Sequence, residues 1–566
     1  MAKYVIGMDF GTLSARALIV ETGTGREIGT SECAYRHKVM TDALPDGTPL
    51  PPEWALQHPA DYIEAMEAIV PEAMRRAGID KNDVIGIGID FTSSTLLPVD
   101  GDFDPMCGMY PSSPHAYVKL WKHHATQKQA DRMTALCERR KEAFLDKYGG
   151  KVSSEWLLPK VLQFIEEDEE LYDATARLVE AGDWLTYKLT GRYVKSGSMA
   201  GYKAFWNKTD GYPSKEYLKA CHKKLENVFE DKLSGMVMPV GSKAGELTRG
   251  AAERLGLNPG TAVAVAQIDA HVSLPAAGIT ESGDMCMIMG TSTCHIVLGK
   301  EEKIVPGMCG AVEDGVVPGL VAFEAGQSCV GDQFNWFVDH SVPAEYAEKA
   351  KEAGLNLHQY LTMLASKQLP GETGLIALDW WNGNRSVLVD ASLSGLIVGM
   401  TLNTRAEDVY RALIESTAFG TRVIIDTFEN NGVNIKSISA CGGISQKNPF
   451  LMQVYADVLR RDIKIARSTQ TPALGSAILG AVAAGSECGG YDSISAASKE
   501  MGGTLEKVYH PLPAHSAIYD RLYAEYRRLH DYFGRGQSRV MKRLKDIKKD
   551  QSEMRMKQTA IKNSHS

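Results

Sequence analysis

Short apolar runs alternate with amphipathic stretches along this chain, and the alternation predicts an α/β fold. The runs that we expect to form buried strands are residues 4–8, 17–20, 84–89, 261–268, 285–289 and 435–440. The stretches that we expect to form helices are residues 59–77, 158–167, 183–189, 408–429, 449–459 and 471–484. Residues 119–140 are polar and predicted to be rich in helix.

The predicted organisation is roughly duplicated. A strand followed by a Gly-Thr turn occurs near the start, at Gly11, and again past mid-chain, at Gly290. We therefore expect two domains, over residues 3–279 and 280–535. Residues 536–566 are basic and poor in large apolar side chains, which predicts a solvated helix or frayed tail without a catalytic role.

Composition narrows the classes of protein that remain. The formal net charge of -8 and the pI of about 6.0 argue against a protein that covers nucleic acid. No apolar run approaches the length of a membrane span, and the first residues do not resemble a secretory signal. The 10 cysteines include no C-x-x-C pair, which is typical of a reducing compartment. The expected location is the cytoplasm.

Residues 8–16, MDFGTLSAR, carry the strongest local signal for phosphate chemistry. Gly11 lets the backbone approach a phosphate closely, and the hydroxyls of Thr12 and Ser14 can donate to its oxygens. Asp9 can hold Mg²⁺, usually through water, and Arg16 supplies a planar cationic fork. The alternative is an ordinary hairpin turn in which Asp and Gly only serve geometry.

Two further glycine-containing turns extend this signal. Gly290 and Thr291 form a second phosphate-type turn, which is weak alone but more specific when paired with the first. Two such turns on related domains suit a triphosphate held in a cleft between them. Gly442 and Gly443 lie between a predicted strand and a predicted helix, where a nucleotide could approach the helix N-terminus. A plain strand-to-helix loop is the alternative for this segment.

Asp269 directly follows a predicted buried strand and could accept a proton from an attacking hydroxyl. From its position alone, a helix-capping aspartate is the stronger alternative. We expect His271 to be structural. The chain lacks G-x-x-x-x-G-K-[ST], so it is not a P-loop enzyme. The triplet DFG at residues 9–11 has no preceding Gly-rich loop and is accidental.

Together these segments resemble the FGGY carbohydrate kinases, relatives of actin, over residues 3 to about 535. Residues 9–16 resemble the first phosphate motif of the family, residues 290–293 the second, and residues 442–448 the adenosine motif, which includes Asn448. Residues 183–185 (DWL) and 189–191 (LTG) also match, as does a signature over residues 395–415, although Leu413 and Phe164 depart from the usual patterns. The resemblance implies two actin-like (ribonuclease H-like) α/β domains with an interdomain active-site cleft, and ATP with Mg²⁺ as cofactors.

Other segments resemble the family members that act on L-ribulose: residues 90–95 (DFTSST), 120–125 (LWKHHA), 201–204 (GYKA) and 323–328 (FEAGQS). This resemblance places four side chains around the sugar, namely Ser93, Lys203, Asp269 and Glu324. A surface lysine and a capping or paired carboxylate are the alternatives for Lys203 and Glu324. Trp121 could belong to the core or stack on the sugar.

The expected function is transfer of the γ-phosphate of ATP to the terminal hydroxyl of a ketopentose, with Asp269 as the base. The first alternative is a kinase for D-ribulose, xylulose or a related polyol. A non-kinase actin-like ATPase and a silent sugar-binding regulator are the alternatives from other classes. We expect a small sugar and ATP as partners, without nucleic acid or membrane. The sequence leaves the oligomeric state open, with a homodimer as one alternative.

Overall fold

The computed structural model describes residues 2–564. The strands in chain order are β1 Tyr4–Phe10, β2 Ser14–Glu21, β3 Glu27–Ala34, β4 Leu56–Gln57, β5 Val84–Phe91, β6 Leu96–Val99, β7 Val118–Lys119, β8 Arg177–Glu180, β9 Lys195–Ser196, β10 Val237–Met238, β11 Lys243–Glu246, β12 Ala262–Ala264, β13 Gln267–Ile268, β14 Asp284–Met289, β15 Thr293–Gly299, β16 Gly310–Glu313, β17 Val321–Gln327, β18 Ile376–Leu378, β19 Leu396–Val398, β20 Ser437–Cys441, β21 Ile463–Ala466 and β22 Thr504–Tyr509.

The α-helices are α1 Pro59–Ala77, α2 Gln127–Arg140, α3 Leu157–Glu167, α4 Glu169–Ala174, α5 Ala181–Thr190, α6 Gly197–Lys203, α7 Lys215–Cys221, α8 Val228–Asp231, α9 Arg249–Leu255, α10 Asp269–Ala276, α11 Gly331–His340, α12 Ala344–Glu352, α13 Leu357–Ala365, α14 Ala406–Asn430, α15 Gly443–Lys447, α16 Pro449–Leu459, α17 Thr471–Ala484, α18 Ile494–Met501, α19 Pro513–Gly534 and α20 Val540–Ser564. Between residues 2 and 564, no helix combines the length and the apolar character needed to cross a membrane.

Two large mixed sheets repeat one arrangement of strands, which confirms the predicted α/β fold and its duplication. The first sheet has the order β11-β12-β5-β1-β2-β3, with β13 also paired to β5. The second has the order β16-β17-β15-β14-β20-β21-β22. In both, a hairpin lies beside a parallel strand: β1 pairs antiparallel with β2 and parallel with β5, and β14 does the same with β15 and β20.

Helix α17, rich in Gly and Ala as the sequence indicates, packs in direct backbone contact with the first sheet. A Cβ added at Gly7 of β1 would lie 1.7 Å from the Ala473 carbonyl oxygen, and one at Gly88 of β5 would lie 1.8 Å from that of Ser476. Only glycine allows this approach. Helix α17 belongs to the C-terminal half of the sequence but packs on the sheet of the N-terminal half. The domain boundary predicted between residues 279 and 280 stays a prediction.

The predicted elements are largely present. Helices α1, α16 and α17 have the predicted bounds. The strand predicted at residues 261–268 is wrong as one element: it is split into β12 and β13, because Val265 leaves the ladder and its N–H donates to the Ser242 carbonyl. Helix in the segment 119–140 begins only at Gln127, since the preceding residues form turns.

A separate apolar core, distinct from those of the two large sheets, lies in the long segment between β3 and β11, around the small sheet β4-β7-β6-β8. It includes Trp54, Leu158 and Phe205. The basic tail forms helix α20, which agrees with the helical alternative; its last two residues, 565 and 566, lie outside the described residues.

Candidate active site

Three aspartates meet where neighbouring parallel strands of the first sheet end. Asp9 of β1 is in register with Asp90 of β5, Gln267 of β13 is also in register with Asp90, and Asp269 follows two residues later. Burial raises the pKa of Asp9 above its ordinary value, and the proximity of Asp90 and Arg16 offsets only part of that rise. Burial, together with the nearby Asp9 charge, raises the pKa of Asp90 still more strongly.

Asp90 was not among the predicted site residues, although it stands at a predicted strand end. Its Oδ2 accepts a hydrogen bond from Ser476 Oγ at 2.6 Å, whereas its Oδ1 is buried without a hydrogen-bond partner. Carboxylates that repel each other in a buried site favour a divalent cation, which prefers oxygen ligands. The residues at this edge therefore fit a Mg²⁺ ion, with Asp9 and Asp90 as the groups that would hold it.

Asp269 does not occupy the N-cap position of the helix that it begins, and its role as a base stays a prediction. It is the first residue of α10, where Ile268 is the N-cap, and its Oδ1 accepts only the N–H of Ala270, at 2.7 Å. Burial and the charge of Asp9 raise the pKa of Asp269 to about 7. A carboxyl group with such a pKa can exchange a proton near neutral pH.

Lys203 and Glu324 form a buried ion pair between the N-terminal and C-terminal halves. The Lys203 Nζ lies 3.3 Å from Glu324 Oε1 and 3.1 Å from Oε2, with Lys203 at the end of α6 and Glu324 within β17. Burial opposes the charge of Glu324, but Lys203 and His271 outweigh it and hold the pKa of Glu324 below its ordinary value. The structure thus excludes the surface alternative for Lys203.

His271, expected to be structural, lies against this pair. Its Nε2 is 3.3 Å from Glu324 Oε2, and its ring packs on Tyr202 with centroids 4.2 Å apart. Burial lowers the pKa of His271, so the ring is predominantly neutral at neutral pH. The position next to Glu324 could not be read from the sequence, because β17 lies 50 residues further along the chain.

The segment that carries Ser93 is held in shape by two buried titratable side chains. Lys160 Nζ donates to the carbonyls of Ser94 and Leu120, and Glu180 Oε2 accepts the N–H of Thr95 at 2.8 Å. Ser94 has a φ of 54°, a left-handed conformation that bends the backbone beside Ser93. Ser93 itself is partly exposed. Its contact with a sugar stays a prediction.

The first phosphate-type turn connects β1 to β2, and Gly11 N–H donates to the Ser14 carbonyl at 3.0 Å. Trp121 Nε1 donates to Thr12 Oγ1 at 3.1 Å, so Trp121 contacts this turn. Arg16 contacts Asp9 Oδ2 at 3.3 Å and Glu32 Oε1 at 3.0 Å.

Glu32 is a partner that the sequence did not indicate. Its Oε1 also accepts a hydrogen bond from Ser14 Oγ at 2.8 Å. A phosphate bound by Ser14 and Arg16 would have to replace Glu32 in both contacts.

The second turn and the adenosine-type segment lie side by side. Val330 N–H donates to the Thr291 carbonyl at 2.8 Å and Gly331 N–H to the Gly290 carbonyl at 3.1 Å, so the start of α11 supports the turn. A Cβ at Gly331 would lie 3.2 Å from Ile444 Cδ1, which places α15 against the same point.

Gly442 and Gly443 connect β20 to the short helix α15. Gly442 has a φ of 92°, and a Cβ there would lie 2.3 Å from the Met289 carbonyl oxygen, so only glycine fits. Gly443 is exposed. Asn448 caps α16, because its Oδ1 accepts the N–H of Leu451 at 3.0 Å, while its Nδ2 lies 3.5 Å from Thr362 Oγ1.

Known proteins share both the sequence and the architecture. The chain matches the N-terminal domain model of the FGGY family of carbohydrate kinases over residues 4–274 and the C-terminal domain model over residues 285–484. The ribulokinase of Halalkalibacterium halodurans is 52% identical over 549 residues, which cover 96% of this chain and 98% of that protein. The ribulokinase of Bacillus licheniformis is 54% identical over 543 residues, covering 95% and 98% respectively.

Among solved structures, the xylulose kinase of Rhodospirillum rubrum superposes with a TM-score of 0.77 at 23% sequence identity. The alignment covers 93% of this chain and 98% of that protein. At this identity the likeness concerns the fold alone, and it agrees with two actin-like α/β domains.

Proposed function

The chain belongs to the FGGY family of carbohydrate kinases, and from this premise we propose that it phosphorylates L-ribulose. The γ-phosphate of ATP is transferred to the terminal hydroxyl at carbon 5, which yields L-ribulose 5-phosphate and ADP, a reaction of L-arabinose catabolism. The observation that carries the proposal is the buried Lys203–Glu324 pair close to Asp269, at the junction of the two halves. Identity of 52% with a ribulokinase along nearly the whole chain supports the choice of sugar.

The sugar offers only hydroxyl and carbonyl groups, which suit charged hydrogen-bond partners in a buried site. In this proposal Lys203 donates to sugar oxygens, Glu324 accepts from sugar hydroxyls, and Ser93 adds a neutral contact. The His271 ring lies beside Glu324, with Nε2 3.3 Å from the carboxylate, and would limit how far that carboxylate can turn.

Asp269 is the general base of the proposed reaction. Its carboxylate takes the proton of the terminal hydroxyl as the hydroxyl oxygen forms a bond to the γ-phosphorus. The bond between that phosphorus and the bridging oxygen of the β-phosphate breaks, and ADP leaves with the electron pair. Closure of the halves around the sugar would exclude water, which could otherwise accept the phosphoryl group.

The triphosphate would lie between the two Gly-Thr turns. Backbone amides near Gly11 and Gly290, the hydroxyls of Thr12 and Thr291, and Arg16 would stabilise charge on the transferred group. Gly442, Gly443 and Asn448 would border the adenosine. Mg²⁺ bound near Asp9 and Asp90 would neutralise phosphate charge and orient the phosphate groups.

Sugar-dependent ADP production tests the proposal. The assay would compare L-ribulose, D-ribulose, D-xylulose, L-xylulose, ribitol and glycerol in the presence of Mg²⁺ and ATP. A strong preference for L-ribulose supports the proposal. Turnover of another sugar would keep the kinase and reject the ribulose assignment, whereas ATP hydrolysis indifferent to all sugars would favour an actin-like ATPase.

Chelation of divalent cations in the same assay tests the metal. Turnover should vanish with excess chelator and return with Mg²⁺. Turnover that persists without divalent cations would contradict a role for Asp9 in holding the ion. Light scattering coupled to gel filtration would decide between a monomer and a homodimer, which the sequence leaves open.

A further inference from the structure

Residues 384–393, which we call the clasp loop, form a compact turn between β18 and β19. Asn384 N–H donates to the Asp390 carbonyl at 3.0 Å, and Asp390 N–H donates back to the Asn384 carbonyl at 2.8 Å. Inside the turn, Leu388 N–H donates to Asn384 Oδ1 at 2.9 Å. These bonds give the loop a defined shape of its own.

The clasp loop is fastened to the strand that carries Glu324. Ser386 N–H donates to the Gly326 carbonyl and Gly326 N–H donates to Ser386 Oγ, both at 3.1 Å. The side chain of Arg385 crosses directly over Gly326, where an added Cβ would lie 2.8 Å from Arg385 Cδ. Glycine at this point therefore lets Arg385 pass beside β17, two residues from Glu324.

Arg385 reaches across the cleft to the N-terminal half. Its Nη2 lies 2.9 Å from Glu155 Oε1 and 3.3 Å from Oε2, and only 29% and 22% of the two side chains are exposed. Lys151 Nζ adds a second contact in the same direction, to the Val389 carbonyl at 2.9 Å. The two halves are thus joined beside the predicted sugar site.

Charged side chains near the predicted sugar site also act on Glu155. Burial opposes its ionisation, but Arg385, His124 and Lys203 outweigh burial and keep the pKa of Glu155 below its ordinary value. The pKa of Arg385 is raised, mainly by the negative charge of Glu155 and to a smaller extent by that of Glu324. Arg385, Glu155, Lys203 and Glu324 therefore form one set of alternating charges across the cleft.

Helix α20 holds the clasp loop from the opposite side. Lys542 Nζ lies 2.5 Å from Asp390 Oδ2, and Lys545 Nζ donates to the carbonyls of Ala391 at 2.8 Å and Leu393 at 3.1 Å. The end of α19 also contacts the loop, since a Cβ at Gly534 would lie 2.2 Å from Leu388 Cδ1. The basic tail is therefore docked on the loop, which the sequence alone did not indicate.

We propose that Arg385 is a positioning residue for the sugar. Its ion pair with Glu155 closes the cleft beside Lys203 and Glu324. Helix α20 fixes the clasp loop so that this ion pair can form. The inference rests on the proposed function. A closed cleft orders the sugar hydroxyls against Lys203 and Glu324, and a small misplacement there costs far more than the lost contact itself. The guanidinium suits this task because its planar fork is matched to a carboxylate.

The kinetic test compares Arg385→Ala, Arg385→Lys and Glu155→Gln with the wild-type enzyme. Arg385→Ala should raise KM for L-ribulose on the order of 10- to 100-fold, the usual effect of losing a charge-assisted contact. The KM for ATP should change less than threefold, and ATP hydrolysis without sugar should rise relative to sugar phosphorylation. Arg385→Lys keeps the positive charge but loses the planar guanidinium, so its KM for the sugar should lie between those of the wild type and Arg385→Ala.

A matched pair of double variants tests the helix. Lys542→Ala/Lys545→Ala should raise the sugar KM about three- to tenfold by loosening the clasp loop. Arg539→Ala/Arg543→Ala removes the same charge from the same region, but neither side chain takes part in the contacts with the clasp loop described above, so it should leave the sugar KM unchanged. Arg254→Ala, which breaks an exposed 2.9 Å ion pair with Glu67 away from the cleft, controls for loss of any ion pair.

The outcomes separate this inference from the proposed function. Sugar KM values within twofold of wild type in folded Arg385→Ala and Glu155→Gln would reduce their ion pair to a structural contact and overturn the inference. Equal rises in both KM values would do the same. If Arg385→Ala does not fold, Arg385→Lys and Glu155→Gln decide by the same criteria. Failure of the proposed function would show instead in the wild-type enzyme, as turnover without a requirement for L-ribulose.

Discussion

At the scale of single residues, the chemistry depends on how charged groups share a buried site. Asp269 lies near Asp9, Lys203 and Glu324, and burial together with the charge of Asp9 outweighs the stabilising effect of Lys203. Its pKa is therefore raised, whereas the pKa of Glu324 is lowered by the same lysine. Two carboxyl groups with opposite shifts suit two roles, one that exchanges a proton and one that stays ionised.

Replacing Asp269 with Asn keeps the shape of the side chain and removes the base. We expect kcat to fall by roughly 10²–10⁴, the usual contribution of a positioned general base. Steady-state kinetics with L-ribulose would measure the loss, and thermal unfolding at pH 8 would serve as the control. The variant should unfold at no lower temperature than the wild type, because the substitution removes a carboxylate whose ionised form is destabilised by burial at pH 8. A decrease in kcat of less than tenfold would mean that another group is the base.

The pKa of about 7 for Asp269 predicts the pH profile of the free enzyme. Below this pH the carboxyl group carries a proton and cannot accept another, so kcat/KM for the sugar should fall about tenfold per pH unit. Above it, the profile should be level. The residual activity of Asp269→Asn should lack this acidic limb, and its persistence there would assign the titration to a different group.

At the scale of elements, contact between α17 and the first sheet decides how closely the halves approach. The glycines of β1 and β5 bring the α17 backbone against the strands, and Gly475 of α17 does the same toward α10, where a Cβ would lie 1.8 Å from the Val272 carbonyl oxygen. Ser476 of this helix also donates to Asp90. The position of α17 therefore affects the carboxylates of the site.

Gly88→Ala tests this contact, since its Cβ would lie 1.8 Å from a backbone oxygen that cannot move without shifting the helix. Overpacking of this kind costs about 1–3 kcal/mol or more of folding free energy. Urea unfolding should show a lower midpoint, and activity should fall because α17 carries Ser476. Gly250→Ala in α9, where the nearest atom is the end of the Arg254 side chain at 3.7 Å, is the matched control and should be neutral or slightly stabilising. Equal midpoints for the two variants would show that the sheet accommodates the methyl group.

At the scale of the whole molecule, function depends on contacts that cross from one half to the other. The Lys203–Glu324 pair, the Tyr202 hydroxyl that donates to the Ala322 carbonyl at 2.7 Å, and the clasp loop all join residues far apart in sequence. A sugar bound between Lys203 and Glu324 would link the same two halves. This arrangement couples sugar binding to closure of the cleft.

Glu324→Gln removes one charge from this junction and leaves Lys203 buried without its partner. Breaking a buried pair typically destabilises the fold by about 3–5 kcal/mol. Loss of a hydrogen bond from the sugar to a charged group costs about 1.5–3 kcal/mol, so kcat/KM for the sugar should fall by about 10- to 150-fold. The KM for ATP should change little, because the proposal assigns Glu324 to the sugar and the Gly-Thr turns to the triphosphate. Glu313→Gln, which affects an exposed pair with Lys208 at 3.2 Å on neighbouring β16, is the control. A sugar KM within twofold of wild type would contradict the assigned contact.

The sequence by itself determined the α/β class, the duplication and the identity of the main motifs. These features are local: the apolar runs, the Gly-Thr turns at Gly11 and Gly290, and the composition of α17 are each written in a few consecutive residues. The limits of helices such as α1 and α16 follow from local signals for the same reason. The strand at residues 261–268 was one exception, because its break depends on the Ser242 carbonyl of another segment.

Only the tertiary structure decided which side chains share a site. Asp90 joins Asp9 through strand register, His271 reaches Glu324 across the junction of the halves, and Arg385 meets Glu155 over a separation of 230 residues. The raised pKa of Asp269 likewise comes from burial and from a charge on another strand. Burial and electrostatic interaction depend on distances in space, and local sequence patterns do not encode the distances between remote segments.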